Sequence, residues 1–329
     1  MIIDRYNRVH DYLRISITER CNLRCFYCMP SEGIQLTPKP HLMSKDEILD
    51  IAKTMVGMGI KKIRLTGGEP LVHKEAHQII EGLGKLPIEL AITTNGIIVD
   101  KFIDTFKKSG LKSVNVSLDT LDRDKFQVIT RRDYFNRVLS NIYKLVDEGF
   151  KVKVNVVLIR DTNDYELIDF LELTKNINIQ VRFIEFMPFS GNKWDWSKGV
   201  SIKEILDTVN GSYGDKLVNR IEDKPHDTCK NYQIDGYQGT FAIISSITQP
   251  FCSSCNRIRL TADGKLRNCL FATDETDLLT AYRNGEDITK LVMENIQAKV
   301  AERGGWKNFE ELAKPENHNK NRSMVLIGG

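Results

Sequence analysis

Between about residues 12 and 187, short β-branched and aliphatic runs alternate with longer segments whose apolar positions recur at helical spacing, the pattern of repeated βα units. Six runs read as strands: 13–18, 62–66, 90–94, 113–118, 152–158 and 180–186. Ser44 and Glu47 form a capping box for a helix running to about residue 58, where Gly59 ends it. Gly110 and Gly149 close the helices before the fourth and fifth strands in the same way.

Side chains alternate along each strand, and one lane is polar in five of the six. It reads Arg14, Ser16, Thr18; then Lys62, Arg64, Thr66; then Ala91, Thr93, Asn95; then Ser113, Asn115, Ser117; then Lys151, Lys153, Asn155. The opposite lane is mostly Ile, Leu and Val. Helices must cover the apolar lane, so the polar one faces the concavity of a barrel or half-barrel; a two-layer protein with one solvated sheet face is the alternative. The expected fold is α/β, a partial TIM-type βα barrel of about six parallel strands over residues 1–187. Beyond it the alternation stops, and 188–329 reads as a C-terminal α+β cap. That part has a helix near 201–209, a strand over 240–247 and a polar, mobile stretch at 314–321.

The 329 residues, 41% apolar and 28% charged, suit one large globular domain or two ordinary ones. Lys plus Arg (47) against Asp plus Glu (44) gives +3, far from a chain that coats nucleic acid, so any anion site must arise from local arrangement. The opening MIIDRYNRVH has no apolar signal region and no run is long enough to span a bilayer, so the expectation is a cytoplasmic protein with no membrane partner.

Six of the seven cysteines fall into two groups, leaving Cys229 apart. In a reducing compartment such clustering points to metal ligands rather than disulfides. Cys21-x3-Cys25-x2-Cys28 follows the first strand, and Gly67-Gly68-Glu69-Pro70 follows the second, at the strand ends where βα barrels gather their chemistry. A cubane iron-sulfur cluster wants four thiolates, so three leave one iron open to a small molecule. Zinc stays open if a distant fourth ligand arrives. Tyr27 gives the loop an aromatic flank, while Gly68 lets backbone approach a ligand. Cys252-x2-Cys255-x13-Cys269 starts like a zinc ribbon that Cys229 could complete. Between its members Arg257 and Arg259 alternate as on a strand, and their forks suit phosphate or a base edge, or else a solvated face. Met187 alone reads as core.

The x3/x2 cysteine loop, the aromatic residue before its third cysteine and the Gly-Gly-Glu-Pro segment resemble the radical S-adenosylmethionine superfamily. Over nearly its whole length the chain is similar to the branch that cyclises GTP in molybdenum cofactor biosynthesis. The shared segments are LRISITERCNLRCFYCMP, KKIRLTGGEP, TTNG, VNVSLD, VKVNVV, RFIEFM, FCSSCNRIRLTADGK with Cys269, and a final Gly328-Gly329. The resemblance implies a lyase with two [4Fe-4S] clusters, one on Cys21, Cys25 and Cys28, the other on Cys252, Cys255 and Cys269, with Cys229 not a ligand. S-adenosylmethionine would meet Tyr27, Gly68, Ser117 and Met187. The triphosphate of GTP would meet Arg14, Lys62, Arg64, Thr93 and Lys153, with Arg257 and Arg259 positioning the substrate and Gly328-Gly329 threading into the active site. The implied reaction takes hydrogen from ribose C3′ and joins that carbon to guanine C8, giving (8S)-3′,8-cyclo-7,8-dihydroguanosine 5′-triphosphate. The implied partners are a flavodoxin-like electron donor and cyclic pyranopterin monophosphate synthase, which takes the product; the resemblance also admits a homodimer. The rivals are a radical enzyme that modifies peptides and a zinc protein that binds nucleic acid.

Overall fold

The computed structural model describes the chain apart from Ser31, Asn319, Gly329 and the side chain of Phe309. Its strands are β1 (Tyr12–Ser16), β2 (Lys62–Thr66), β3 (Glu89–Thr94), β4 (Ser113–Ser117), β5 (Lys151–Leu158), β6 (Gln180–Glu185), β7 (Val218–Ile221), β8 (Lys230–Ile234), β9 (Thr240–Ile244), β10 (Arg257–Leu260), β11 (Lys265–Arg267) and β12 (Thr276–Asp277). The first six match the expected runs to within two residues at each end, and each is parallel to the next.

The sheet does not stop with them. Its order is β12-β11-β10-β1-β2-β3-β4-β5-β6-β9-β8-β7. Strand β10 lies parallel to β1 and β9 parallel to β6, so the parallel set holds eight strands rather than six. Antiparallel partners then extend both edges. Residues after 187 thus continue the sheet on both sides.

The apolar lane makes the core, as Leu13, Ile15, Ile63, Leu65, Ile92, Val114, Val154 and Val181 are all fully buried. Against them pack Ile48, Ile51 and Met55 of the helix Lys45–Gly57, with Ile79, Phe106, Val138 and Phe170 from later helices. Each such side chain contributes about 1.5–3 kcal/mol by leaving water. The capping box is present: Ser44 Oγ accepts from Glu47 N at 3.3 Å and Glu47 Oε2 accepts from Ser44 N at 2.7 Å.

The sheet is curled. Arg182 on β6 lies within electrostatic reach of Tyr12 on β1 and Arg64 on β2. Five strand spacings in a flat sheet would separate β1 from β6 by about 24 Å. The polar lane therefore lines a concavity.

The polar stretch 314–321 is not the mobile tail expected from its composition. It carries the short helix Pro315–His318, with Asn317 and His318 buried. Asn317 Nδ2 donates to Glu311 O at 2.7 Å, His318 Nε2 lies 3.0 Å from Leu312 O, and the His318 ring stands edge-on to Trp194. Its polar groups are used inside the fold, which composition does not reveal.

At the other end, residues 2–10 fold back on themselves through a bridge between Ile3 and Val9. His10 is fully buried there, 3.1 Å from Asp4 Oδ2. Burial first, then the charge of Lys299, pushes His10 down to about 4 from an ordinary 6.5. The unfolded chain therefore takes the proton first, so stability contributed by neutral His10 is complete above pH 6.5 and lost as pH falls toward 4, by up to about 3 kcal/mol. Urea titrations of wild type and His10→Gln across that window should show the wild-type curve falling more steeply; parallel curves would refute this.

Candidate active site

The first thiols lie in the loop that leaves β1. Helix Arg123–Thr130 pins that loop: Arg24 N donates to Thr130 O at 2.9 Å and Phe26 N to Ile129 O at 3.1 Å. The Gly67-Gly68 turn braces it from the other side. Gly68 N donates to Thr18 O at 2.7 Å and Glu69 N to Arg20 O at 2.8 Å. A methyl group at Gly68 would sit 2.5 Å from Arg20 O, and Gly67 has φ of +155°, so this approach admits no side chain at either position. Glu69 then accepts from Thr94 Oγ1 at 2.7 Å and Asn95 N at 2.6 Å, linking the turn to the end of β3.

Burial, joined by nearby carboxylates or thiols, pushes Cys21 up to about 11, Cys28 up to about 12 and Cys25 well above the usual thiol range. A metal that takes these thiols as thiolates must displace their protons and supply the missing positive charge. Among the described residues no three His, Cys, Asp or Glu side chains converge on a single ion. Tyr27 donates its hydroxyl proton to Asp119 Oδ2 at 2.5 Å, and Asp119 accepts from Val157 N at 2.9 Å, tying the loop to β5.

Below this loop lies the polar lane. Register places Arg259, Arg14 and Arg64 side by side on β10, β1 and β2. Neighbouring parallel strands are about 4.8 Å apart, so three guanidinium stems share one row. Like charges in such a row repel. Burial first and mutual repulsion second bring Arg14 down to about 10 and Arg259 well below its ordinary value. Burial and then Arg182 and Arg64 bring Lys153 down to about 8. Tyr12 answers this field: although burial opposes it, Arg64 and Arg14 lower its phenol to about 7, and its oxygen accepts from Arg64 Nε at 2.6 Å. Beside the cations, Thr93 Oγ1, Asn115 Oδ1 and Asn155 Oδ1 are buried without a hydrogen-bond partner among the described residues. The lane offers both charge and unused polar atoms.

The second thiol group lies where β10 begins. Cys252 Sγ accepts from Arg303 N at 3.5 Å and Cys255 Sγ from Lys299 Nζ at 3.6 Å. Burial raises Cys252, whereas Arg257 and Lys299 overcome burial at Cys255 and bring it down to about 6. Cys269 lies within electrostatic reach of both Cys252 and Arg259. The end of the chain returns to the same place. Gly328 is buried at φ +79°; a methyl there would lie 2.7 Å from both Ser16 Cβ and Thr66 Oγ1, and its carbonyl accepts from Arg259 Nη1 at 2.8 Å. Gly329 lies outside the described residues.

The expected site residues fall into distinct settings. Arg14, Arg64, Lys153, Thr93 and Arg259 share the lane; Lys62 stands at its lower rim, paired with Glu89 at 2.6 Å. Arg257 follows the row's direction but lays its guanidinium over Phe251, 4.5 Å from the ring centre. Ser117 is half-buried at the end of β4, and Met187 packs in the apolar cluster that also holds Cys269 and Ile327. Cys229 is buried, donating to Asn231 Oδ1 at 3.4 Å, and its charged neighbours are Arg182, Asp227, Lys153 and Asp223 rather than the other thiols. The sequence reading missed Arg182, Tyr12 and Lys299. Arg182 had a signal, since it continues the polar lane onto β6 between Gln180 and Ile184.

Comparison with known proteins places the chain in a family. The family described as Radical SAM superfamily matches residues 15–174, and that described as Molybdenum Cofactor Synthesis C matches 179–305. The chain is 45% identical to a protein of Arabidopsis thaliana named "GTP 3′,8-cyclase, mitochondrial", over 100% of this chain and 84% of that one. It is 42% identical to a Caenorhabditis elegans protein named "Molybdenum cofactor biosynthesis protein moc-5", over 95% of this chain; it spans about half of that relative's length, 53%. In fold it is similar to Streptococcus suis SuiB, with a TM-score of 0.64 at 15% identity, covering 89% of this chain and 68% of that one. Among the described residues no helix is long and apolar enough to cross a membrane. By family match and by identity along its length, the chain belongs to the radical SAM superfamily and, within it, to the family of GTP 3′,8-cyclases and molybdenum cofactor biosynthesis proteins.

Proposed function

We propose that the chain converts GTP to (8S)-3′,8-cyclo-7,8-dihydroguanosine 5′-triphosphate, the first step of molybdenum cofactor biosynthesis. The observation that carries this reading is the arginine row Arg259-Arg14-Arg64, flanked by Lys153 and Arg182, lying between the two thiol groups. Such a density of buried and half-buried cations calls for a polyanion, and a triphosphate supplies one with oxygens for several forks.

Both thiol groups fit [4Fe-4S] clusters with one iron left open: three partly buried free thiols each, no fourth cysteine beside them, and Cys229 in a separate setting. When bound, the first cluster with S-adenosylmethionine supplies the hydrogen-abstracting chemistry, and the second gives the purine an iron to lean on. The chain does the rest. The Gly68 carbonyl is an acceptor for the ammonium of S-adenosylmethionine, while Ser117, Tyr27 and Met187 line the approach from the strand ends. Arg14, Arg64, Lys153, Thr93 and Arg182 hold the triphosphate, with Lys62 at the rim. Arg257 and Arg259 fix the nucleoside beside the second cluster, and Gly328 closes the cavity over Ser16 and Thr66, keeping water from the reacting carbons. Residues 1–187 carry the first cluster and 188–329 the second. A flavodoxin-like protein is the electron donor, and cyclic pyranopterin monophosphate synthase takes the product.

Anaerobically reconstituted protein with S-adenosylmethionine, reductant and GTP should form the cyclised nucleotide, identified by mass spectrometry. ATP, which offers the same triphosphate, should bind and not cyclise. An absence of GTP consumption by iron-loaded protein would sink the proposal.

A further inference from the structure

The two thiol groups sit in opposite electrostatic surroundings. The first has carboxylates for neighbours, Glu69 near Cys21 and Asp119 near Cys25, against the cation of Arg24 near Cys21, and its sulfurs receive hydrogen bonds from neutral donors, among them Leu23 N at 3.4 Å and Asn95 Nδ2 at 3.9 Å to Cys21. The second has cations. One of these is unusual: Lys299 is only 3% exposed, and its ammonium reaches Cys255 Sγ at 3.6 Å and Arg257 O at 3.2 Å.

A buried ammonium needs an anion. Among the described residues no carboxylate forms an ion pair with Lys299; Asp4, on the same side of the molecule, is held by Arg8 Nε at 2.6 Å and by His10. The anion that remains within reach is the Cys255 sulfur. The position of the ammonium is built, too. Lys299 N closes the helix Ile288–Gln297 by donating to Ile296 O at 3.0 Å. One residue further on, Arg8 clamps the chain by donating to Val300 O, Ala301 O and Cys252 O at 2.8–2.9 Å. The lysine and the two cysteines are thus fixed to one another through an arginine that lies some 244 residues away in sequence from Cys252.

We propose that Lys299 sets the electron affinity of the second cluster, its ammonium donating to the Cys255 sulfur and stabilising the reduced, more negative state. This rests on the reading that Cys252, Cys255 and Cys269 hold a cluster. The potential of a thiolate-bound cluster follows its net charge and the hydrogen bonds to its sulfurs, and Lys299 contributes both. Lys299 is a positioning and tuning residue rather than one that touches the substrate.

The test uses the full-length chain carrying Cys21→Ala, Cys25→Ala and Cys28→Ala, so that the second group holds all the bound iron. After anaerobic reconstitution, iron is counted and the midpoint potential is measured by electron paramagnetic resonance during redox titration. Lys299→Met removes charge and donor, Lys299→Gln keeps a donor without charge, and Lys299→Arg keeps both. The expected result is unchanged iron content, a midpoint displaced to more negative values in the Met and Gln variants, and one close to the parent in the Arg variant. Met and Gln variants that keep their iron and titrate with the parent would overturn the inference alone. A parent chain that binds no iron would overturn the second-cluster reading and this inference together.

Discussion

A chain carrying Cys25→Ala is expected to fold, to bind about four irons instead of about eight, and to form no cyclised nucleotide. The Cys25 thiol is held well above its usual range by burial and neighbouring anions, and it serves no other residue as a covalent partner. The backbone around it is secured independently, by Arg24 and Phe26 to the helix Arg123–Thr130, so alanine leaves the loop in place. A two-thiolate site has two irons without protein ligands and does not retain the cluster. The contrast is Cys252→Ala, which should lose the other half of the iron, keep reductive cleavage of S-adenosylmethionine and still make no cyclised product. Iron and sulfide analysis with separate assays of cofactor cleavage and GTP turnover would distinguish them. A Cys25→Ala protein that still cleaves S-adenosylmethionine would refute the assignment of the first group.

Arg259→Ala should lower kcat/KM for GTP by between about 30-fold and several thousand-fold, the span of about 2–5 kcal/mol for losing one partner of a buried charged contact. Stability should move the other way or hardly at all. In the substrate-free protein Arg259 stands next to Arg14 in a row of like charges, and its removal relieves that repulsion, against the loss of one hydrogen bond to Gly328 O. A residue costly to keep and needed for turnover is the pattern of a binding site that works against the fold. Arg259→Lys should fall between, because an ammonium replaces the charge but not the fork. Iron content, melting temperature and steady-state rates on the same preparations settle it: turnover within about threefold of wild type in Arg259→Ala would show that the row does not carry the substrate.

Much of this site could be read before any coordinates because its parts are local. The strands are short β-branched runs, Ser44 and Glu47 mark a helix start three residues apart, and Cys21 to Cys28 lie within a single loop. What was not legible depends on pairing over long distances. Arg257 and Arg259 could be seen to share a face, but nothing in 257–260 says that the face adjoins β1 and completes a row with Arg14. Arg182 is hard to single out in the sequence because Ile184 follows it, so that lane of β6 looks less polar than its neighbours. Lys299 gave no signal at all, since one lysine after a helix reads as solvated until its burial is known. The end of the chain misled for the opposite reason: Asn317 and His318 find hydrogen bonds within the protein, and composition counts them as if they faced water.

The place of β1 in the sheet also orders events in time. Its second neighbour, β10, is made so late that Asn256 meets Asp11, at 2.7 Å, across 245 residues. At ~5–20 residues per second the ribosome needs roughly 10 to 50 s to cover that distance. Throughout that interval one edge of β1 has no partner, and a bare strand edge is where wrong pairings begin. The cysteine loop beyond it is already in the nascent chain, while the tail that will cover Ser16 and Thr66 has yet to be made. The pocket beside Ser16 and Thr66 is therefore completed only when Gly328 arrives, after every strand of the sheet has been made.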